Sequence, residues 1–308
     1  MSDLPVIAIR FALYADLMVL AGLTAFSLYA PTGEERRKGM LPLPVAAVAL
    51  AVPGLVLSAL GMLVLVAAMT GSSLFAVDRE TLRSIVEETP IGAAWIVRMV
   101  AAGSAVAFSL SLGRLPKTGR GGLLLSASLA IATLVWTGHA GATEGWPGAV
   151  HRVSDIVHML AASIWIGGIA AFGWLLFQPL ARQSNSSLIT VHRALEQFSR
   201  VGTVSIALIV ATGILNGLIL FGLPGPDRML ASPYGRLLLA KLGLFVVMLM
   251  LAAANRWRLT PALGAAIDPS DAAAAVGGLR RSLLAEAMAA LAILGLVAWL
   301  GTLEPPGR

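Results

Sequence analysis

Cysteine is absent from all 308 residues. That excludes disulfides, thiolate metal ligands and cysteine redox chemistry together. Any soft-metal chemistry must therefore use histidine, methionine or carboxylate. Charge is scarce as well. Only 12% of the residues are Asp, Glu, Lys or Arg, where a water-soluble domain carries about a quarter. The chain contains no P-loop, no GxSxG and no HExxH, which argues against an ATP-driven pump and against a hydrolase. Histidine occurs four times, so its placement is informative.

What is abundant is apolar. Residues of the AVILMFWYC set make up 57% of the chain, and the mean hydropathy is +0.85. Eight runs of roughly 18–25 apolar residues are each long enough to cross ~30 Å of hydrocarbon. They lack the strict alternation of barrel strands, so the fold class is an all-α integral membrane protein, an eight-transmembrane-helix bundle. The spans are placed at 6–30, 45–70, 92–112, 121–138, 152–177, 201–222, 236–255 and 282–302. The first run lacks a small-residue cleavage site and reads as a retained span. No internal repeat is visible, and residues 1–308 read as a single polytopic membrane domain.

Loop charges set the orientation. Thirteen Lys or Arg fall in the odd loops: Arg36, Arg37, Lys38, Arg114, Lys117, Arg120, Arg182, Arg193, Arg200, Arg256, Arg258, Arg280 and Arg281. The even loops and tail hold five, Arg79, Arg83, Arg152, Arg228 and Arg308. The positive-inside rule puts both termini outside, on the periplasmic face. The net charge of +6 is explained by this topology and does not indicate nucleic acid; the surrounding partner is membrane lipid. The longest connection, 256–281, contains DPSDAAAAVGG and reads as a flexible linker. Between Gly71 and Ile91, SSLFAVDRETLRSIVEET has the spacing of a short interfacial helix.

The stretch from Trp136 to Phe177 concentrates the polar chemistry, with His139, His151 and His158 all on the outer side. At about 100° per residue, His151, Asp155 and His158 fall within roughly 40° of one another on a helix. Polar groups gathered at a membrane boundary are a functional signal. The rise separates His151 from His158 by ~10 Å, too far for one ion with ligand bonds near 2 Å. Two arrangements stay open: one composite site with His139, or two stacked positions. The plain structural alternative is interfacial histidines hydrogen-bonded to Asp155 or to backbone. Met159 points ~100° away from His158.

Asp16, Arg98, Asn216, Lys241 and Glu286 also lie within apolar runs. Each charge there costs ~2.5–3.5 kcal/mol on insertion scales unless it is paired or hydrated. An Asp16–Lys241 or Asp16–Arg98 ion pair is the expected solution. Asp16, Met18, Lys241 and Met248 are the residues available for an onward path, although methionines in such chains mostly pack. Gly167 and Gly168 predict a close helix crossing. Trp146 reads as an interfacial anchor, and His192, on the other side, as unrelated to the cluster.

Several longer motifs carry a resemblance. GHA, HRVSDIVHMLAASIWIGG, FSRVGTVSIALIVATGILNG, YGRLLLAKLGLFVVMLMLAAANRWRLTPAL and LRRSLLAEAMAALAILGLVAWLGTLEPP together resemble the CopD/PcoD family of copper resistance inner-membrane proteins. The resemblance covers residues 130–306, the CopD-like core; residues 1–130 match in hydropathy. It implies a multi-pass protein of the bacterial inner membrane that handles copper ion, with a periplasmic copper carrier of CopC type as partner. It also implies roles for His139, Asp155 and His158, and for Asn216, Tyr234, Lys241, Asn255, Arg256, Arg281 and Glu286.

The leading reading is copper acceptance at His139, His151, Asp155 and His158, followed by movement across the membrane, with no enzymatic activity. Imidazole suits copper, but geometry alone also admits zinc, so copper rests on the resemblance. A second reading is a membrane electron-transfer protein with haem b held between His139 and His158. A third is a membrane scaffold for a periplasmic copper protein.

Overall fold

The computed structural model describes residues 3–30, 41–74, 76–178, 185–222, 226–266 and 269–305. Arg36, Arg37, Lys38, Arg182 and Arg308, used above for orientation, lie outside the described residues, as does the side chain of Arg228. The described residues form helices and no strand. They are α1 Leu4–Tyr29, α2 Leu43–Thr70, α3 Arg79–Glu88, α4 Pro90–Ser111 and α5 Pro116–Ala132, the last continued by a 3-10 turn Thr133–Thr137. Then follow α6 Gly145–Leu176, α7 Asn185–Phe221, α8 Pro226–Ala231 and α9 Pro233–Ala254. A π turn Asn255–Leu259 leads into α10 Thr260–Ala265, and α11 is Pro269–Leu300. Eight of these helical segments are long and apolar enough to cross a membrane, so the expected bundle is present. Both described ends of the chain, with the α2–α4, α5–α6 and α7–α9 connections, lie at one end of the bundle. We call it the terminal face.

Proline starts α1, α2, α4, α5 and α9, where its missing N–H costs nothing and its φ is already helical. α3 is a short helix where the sequence predicts an interfacial one. Asp78 caps it by accepting from the Thr81 backbone N–H at 2.9 Å, and Ile85 tucks against Met62 and Val66 of α2. The 256–281 connection differs from its expected linker form. Residues 255–265 are helical, and α11 begins at Pro269. Proline at the first position, Asp271 in the first turn and a four-alanine run all favour helix, and two later glycines do not outweigh them. α6 and α7 likewise begin about two and four turns before their apolar runs.

α1 and α6 are the central pair. α1 packs against α2, α5, α6 and α11, while α6 packs against α1, α7 and α11. They cross where Gly22 meets Gly167: a Cβ on either would collide with the other's backbone. Neighbouring Gly168 makes room for the Phe198 ring of α7. Small residues at such a crossing let backbones approach and gain dispersion contacts where lipid provides no hydrophobic drive. One apolar cluster lies on the α2, α4 and α5 side and contains Met18, Leu123, Ile131 and Met159. Another lies toward α7, α9 and α11 and contains Phe26, Trp165, Phe172, Met248 and Leu283. By contrast, α9 is peripheral and packs mainly on α11.

Candidate metal-handling site at the terminal face

The early start of α6 places His151 in its second turn, 3% exposed. Its Nδ1 lies 3.0 Å from Thr143 Oγ1. That hydroxyl also lies 3.1 Å from the His139 carbonyl, so it bridges the α5–α6 connection and the His151 ring.

Two turns deeper the same arrangement recurs. His158 Nδ1 lies 3.0 Å from Thr212 Oγ1 of α7, and Thr212 donates its own proton to the Leu208 carbonyl at 2.5 Å. The Ile209 backbone hydrogen-bonds the His158 ring as well. His139 is held through its other nitrogen. Its Nε2 sits 3.1 Å from the Leu300 carbonyl, which can only accept, so Nε2 carries the proton. Its ring stands edge-on to Tyr234, with centroids 5.6 Å apart.

Asp155 lies one turn from His158. Asn216 of α7 donates Nδ2–H to its Oδ1 at 3.2 Å. Lys241 of α9 lies within electrostatic reach of Asp155 and His158. Thr212 and Asn216 are four residues apart on one face of α7, opposite His158 and Asp155 on α6. Thr143 and Thr212, which fix the two imidazoles, carry no role in the sequence reading. The TGxxN pattern was the available signal for Thr212, because its threonine and asparagine share a helical face.

The structure separates the other predicted residues. Among the described residues, no three His, Asp or Glu side chains converge to hold one ion. Asp16 forms an ion pair with neither Arg98 nor Lys241 among the described residues. Its Oδ2 has no hydrogen-bond partner and sits over Gly54 of α2, 2.5 Å from where a Cβ would be. The expected pair fails because the partners point elsewhere: Arg98 faces a separate cavity, and Lys241 is on α9, which is not packed on α1. Met18 and Met248 are buried in different apolar clusters. Toward the opposite face, Asn255 Nδ2–H donates to Glu286, and Trp165 also hydrogen-bonds Glu286. His192 lies 3.9 Å from Glu196, one turn along α7. His139 and His158 each hold a protein oxygen through one ring nitrogen, and no observation among the described residues favours the haem reading.

Comparison with known proteins returns one family. Residues 1–149 match "Copper resistance protein D-like, N-terminal domain", and residues 192–300 match "Copper resistance protein D". The likeness therefore reaches the N-terminal residues, for which the quoted motifs supply nothing. The chain is 40% identical to a copper resistance protein D of Pseudomonas syringae pv. tomato, over 99% of this chain and 98% of the relative. It is 28% identical to the inner membrane protein YebZ of Escherichia coli, over 83% and 84%. It is 37% identical to the copper transport protein CutJ of Bacillus subtilis, over 38% of this chain and 20% of the relative. No solved structure matches the chain.

Proposed function

The chain belongs to the copper resistance protein D family and is a multi-pass inner-membrane protein, and from that premise we propose that it accepts copper at its terminal face and moves it across the membrane. In this reading the terminal face is periplasmic, and a carrier of CopC type delivers the ion. His139 and His151 form the mouth. Asp155 and His158 form a deeper position. The two positions are stacked in this reading, which the ~10 Å helical rise between His151 and His158 supports.

One observation carries the reading. Both α6 histidines place Nδ1 3.0 Å from a threonine hydroxyl that also contacts a backbone carbonyl. A partner on one ring nitrogen fixes tautomer and ring orientation, and presents the other nitrogen as the ligand atom. A histidine serving only as a buried hydrogen-bonder needs no such arrangement twice on one helix face. Asp155 adds the anionic oxygen, oriented by Asn216. Lys241 lies within electrostatic reach of that oxygen, and a charge there opposes an arriving cation, which limits its residence and favours onward movement.

The test is copper uptake into membrane vesicles of defined orientation, comparing the parent protein with His139→Ala, His151→Ala and His158→Ala combined. Loss of uptake supports the entry role, and equal uptake defeats it.

A further inference from the structure

Arg98 of α4 is 4% exposed and makes no hydrogen bond or ion pair among the described residues; its Nε is buried without a partner. A guanidinium cannot shed its charge at any ordinary pH, and an isolated buried charge is among the most costly features a fold can carry. Arg98 is not packed into a solid core. It lines a cavity of about 340 Å³ between α1, α2 and α4 that reaches the terminal face. Arg10 and Tyr14 of α1 line the same cavity, with Asp3 as its one acidic group. Arg10 already donates to the carbonyls of Gly301 and Thr137. That holds its guanidinium in place and leaves further N–H groups for a ligand. The rest of the wall is mainly apolar, with Val6, Ile9, Leu13 and Leu65 prominent.

The geometry points to a binding site for a phosphate oxyanion at Arg98 and Arg10, with Tyr14 as an additional donor. Two guanidiniums against one carboxylate leave the cavity net positive. Their planar forks match the oxygens of phosphate in a way that a point charge does not. The phosphate has two possible sources, a free ion or a lipid headgroup, and the apolar wall has room for the start of an acyl chain. The site does not depend on the copper reading, since Arg98, Arg10 and Tyr14, which would hold the anion, are not soft-metal ligands.

The experiment uses delipidated full-length protein in detergent. Thermal unfolding is followed against inorganic phosphate, phosphatidylglycerol and, as an uncharged control, diacylglycerol. A saturable rise in Tm with phosphatidylglycerol alone identifies the lipid source, and a rise with inorganic phosphate as well identifies the free ion. Arg98→Gln should raise the half-saturating concentration at least tenfold, while raising the Tm of the anion-free protein. If Arg98→Gln does not fold, Leu65→Trp fills the cavity without touching the guanidinium and should abolish the response. No response to either phosphate probe, an equal response to diacylglycerol, or an undiminished response in the folded variant would overturn the proposal.

Discussion

Asn216 reaches from α7 to α6 and donates to Asp155 at 3.2 Å, one turn from the Thr212–His158 contact. Two residues of one helix thus hold two of its neighbour. Hydrogen bonds to a charged group contribute roughly 1.5–3 kcal/mol, so Asn216→Leu should destabilise the protein by about that amount. It should also weaken copper retention. Thermal unfolding in detergent checks the first effect, and an unchanged midpoint would show that the contact is energetically idle.

Thr212→Val removes the hydroxyl that contacts His158 Nδ1 while keeping the shape of the side chain. Loss of such an orienting partner typically costs 10–100-fold in metal affinity. Copper per chain after dialysis against a weak chelator should drop accordingly, and further in His158→Ala. Retention equal to the parent in both variants would remove His158 from the site.

Lys241→Met deletes an amine within electrostatic reach of Asp155. Copper should then bind about tenfold more tightly, equivalent to ~1.4 kcal/mol, yet cross more slowly. Competition with a chelator measures the first change and vesicle uptake the second. Weaker binding would mean that Lys241 supports the site rather than opposing the ion.

Of the architecture, the eight spans were legible from hydropathy alone, because ~30 Å of hydrocarbon demands an unbroken apolar run. Helix that continues past the hydrocarbon carries no such mark, so the starts of α6, α7 and α11 were read late. The stripe of His151, Asp155 and His158 followed from helical periodicity. What those residues touch did not, because Thr212, Asn216 and Lys241 come from helices whose rotation no single sequence specifies. The Asp16 ion pair shows the limit of pairing by charge. Opposite charges at similar depth were available, but the rotation of α1 aims Asp16 at Gly54.

The Gly22–Gly167 crossing tolerates no added atom on either residue. Overpacking of this kind usually costs 1–3 kcal/mol, occasionally more. With backbone on both sides neither chain can give way, so Gly167→Leu should cost about 3 kcal/mol or more. The expected result is loss of a monodisperse, cooperatively unfolding protein. Gly103→Leu is the control, since a Cβ there meets nothing within 4 Å.

Asp78 caps α3 from outside the membrane-spanning segments. Its hydrogen bonds from Thr81 hold its carboxyl below the ordinary value of 3.8. The folded form therefore prefers the carboxylate. The cap's contribution is complete above that ordinary value and fades as pH falls through the lower, folded one. Amide exchange at Thr81 and Leu82 should accelerate in that acid range, and Asp78→Asn should flatten the dependence. Acid-induced fraying of equal size in Asp78→Asn would place its origin elsewhere.

The α9 segment differs mechanically from the rest of the bundle. Only 6% of its apolar span is buried inside the protein, against 56% for that of α6. It leans on α11 and reaches inward through a few side chains, Met248 in the inner apolar cluster and the rings of Tyr234 on His139 and Phe245 on Trp165. A helix held by outrigger side chains can rock without dismantling the α1–α6 keel. Because Lys241 rides on it, each such excursion would raise or lower the positive potential at Asp155. In the proposed reading, the lipid surrounding α9, through its thickness and lateral pressure, thereby gains a handle on how firmly the site would grip a cation.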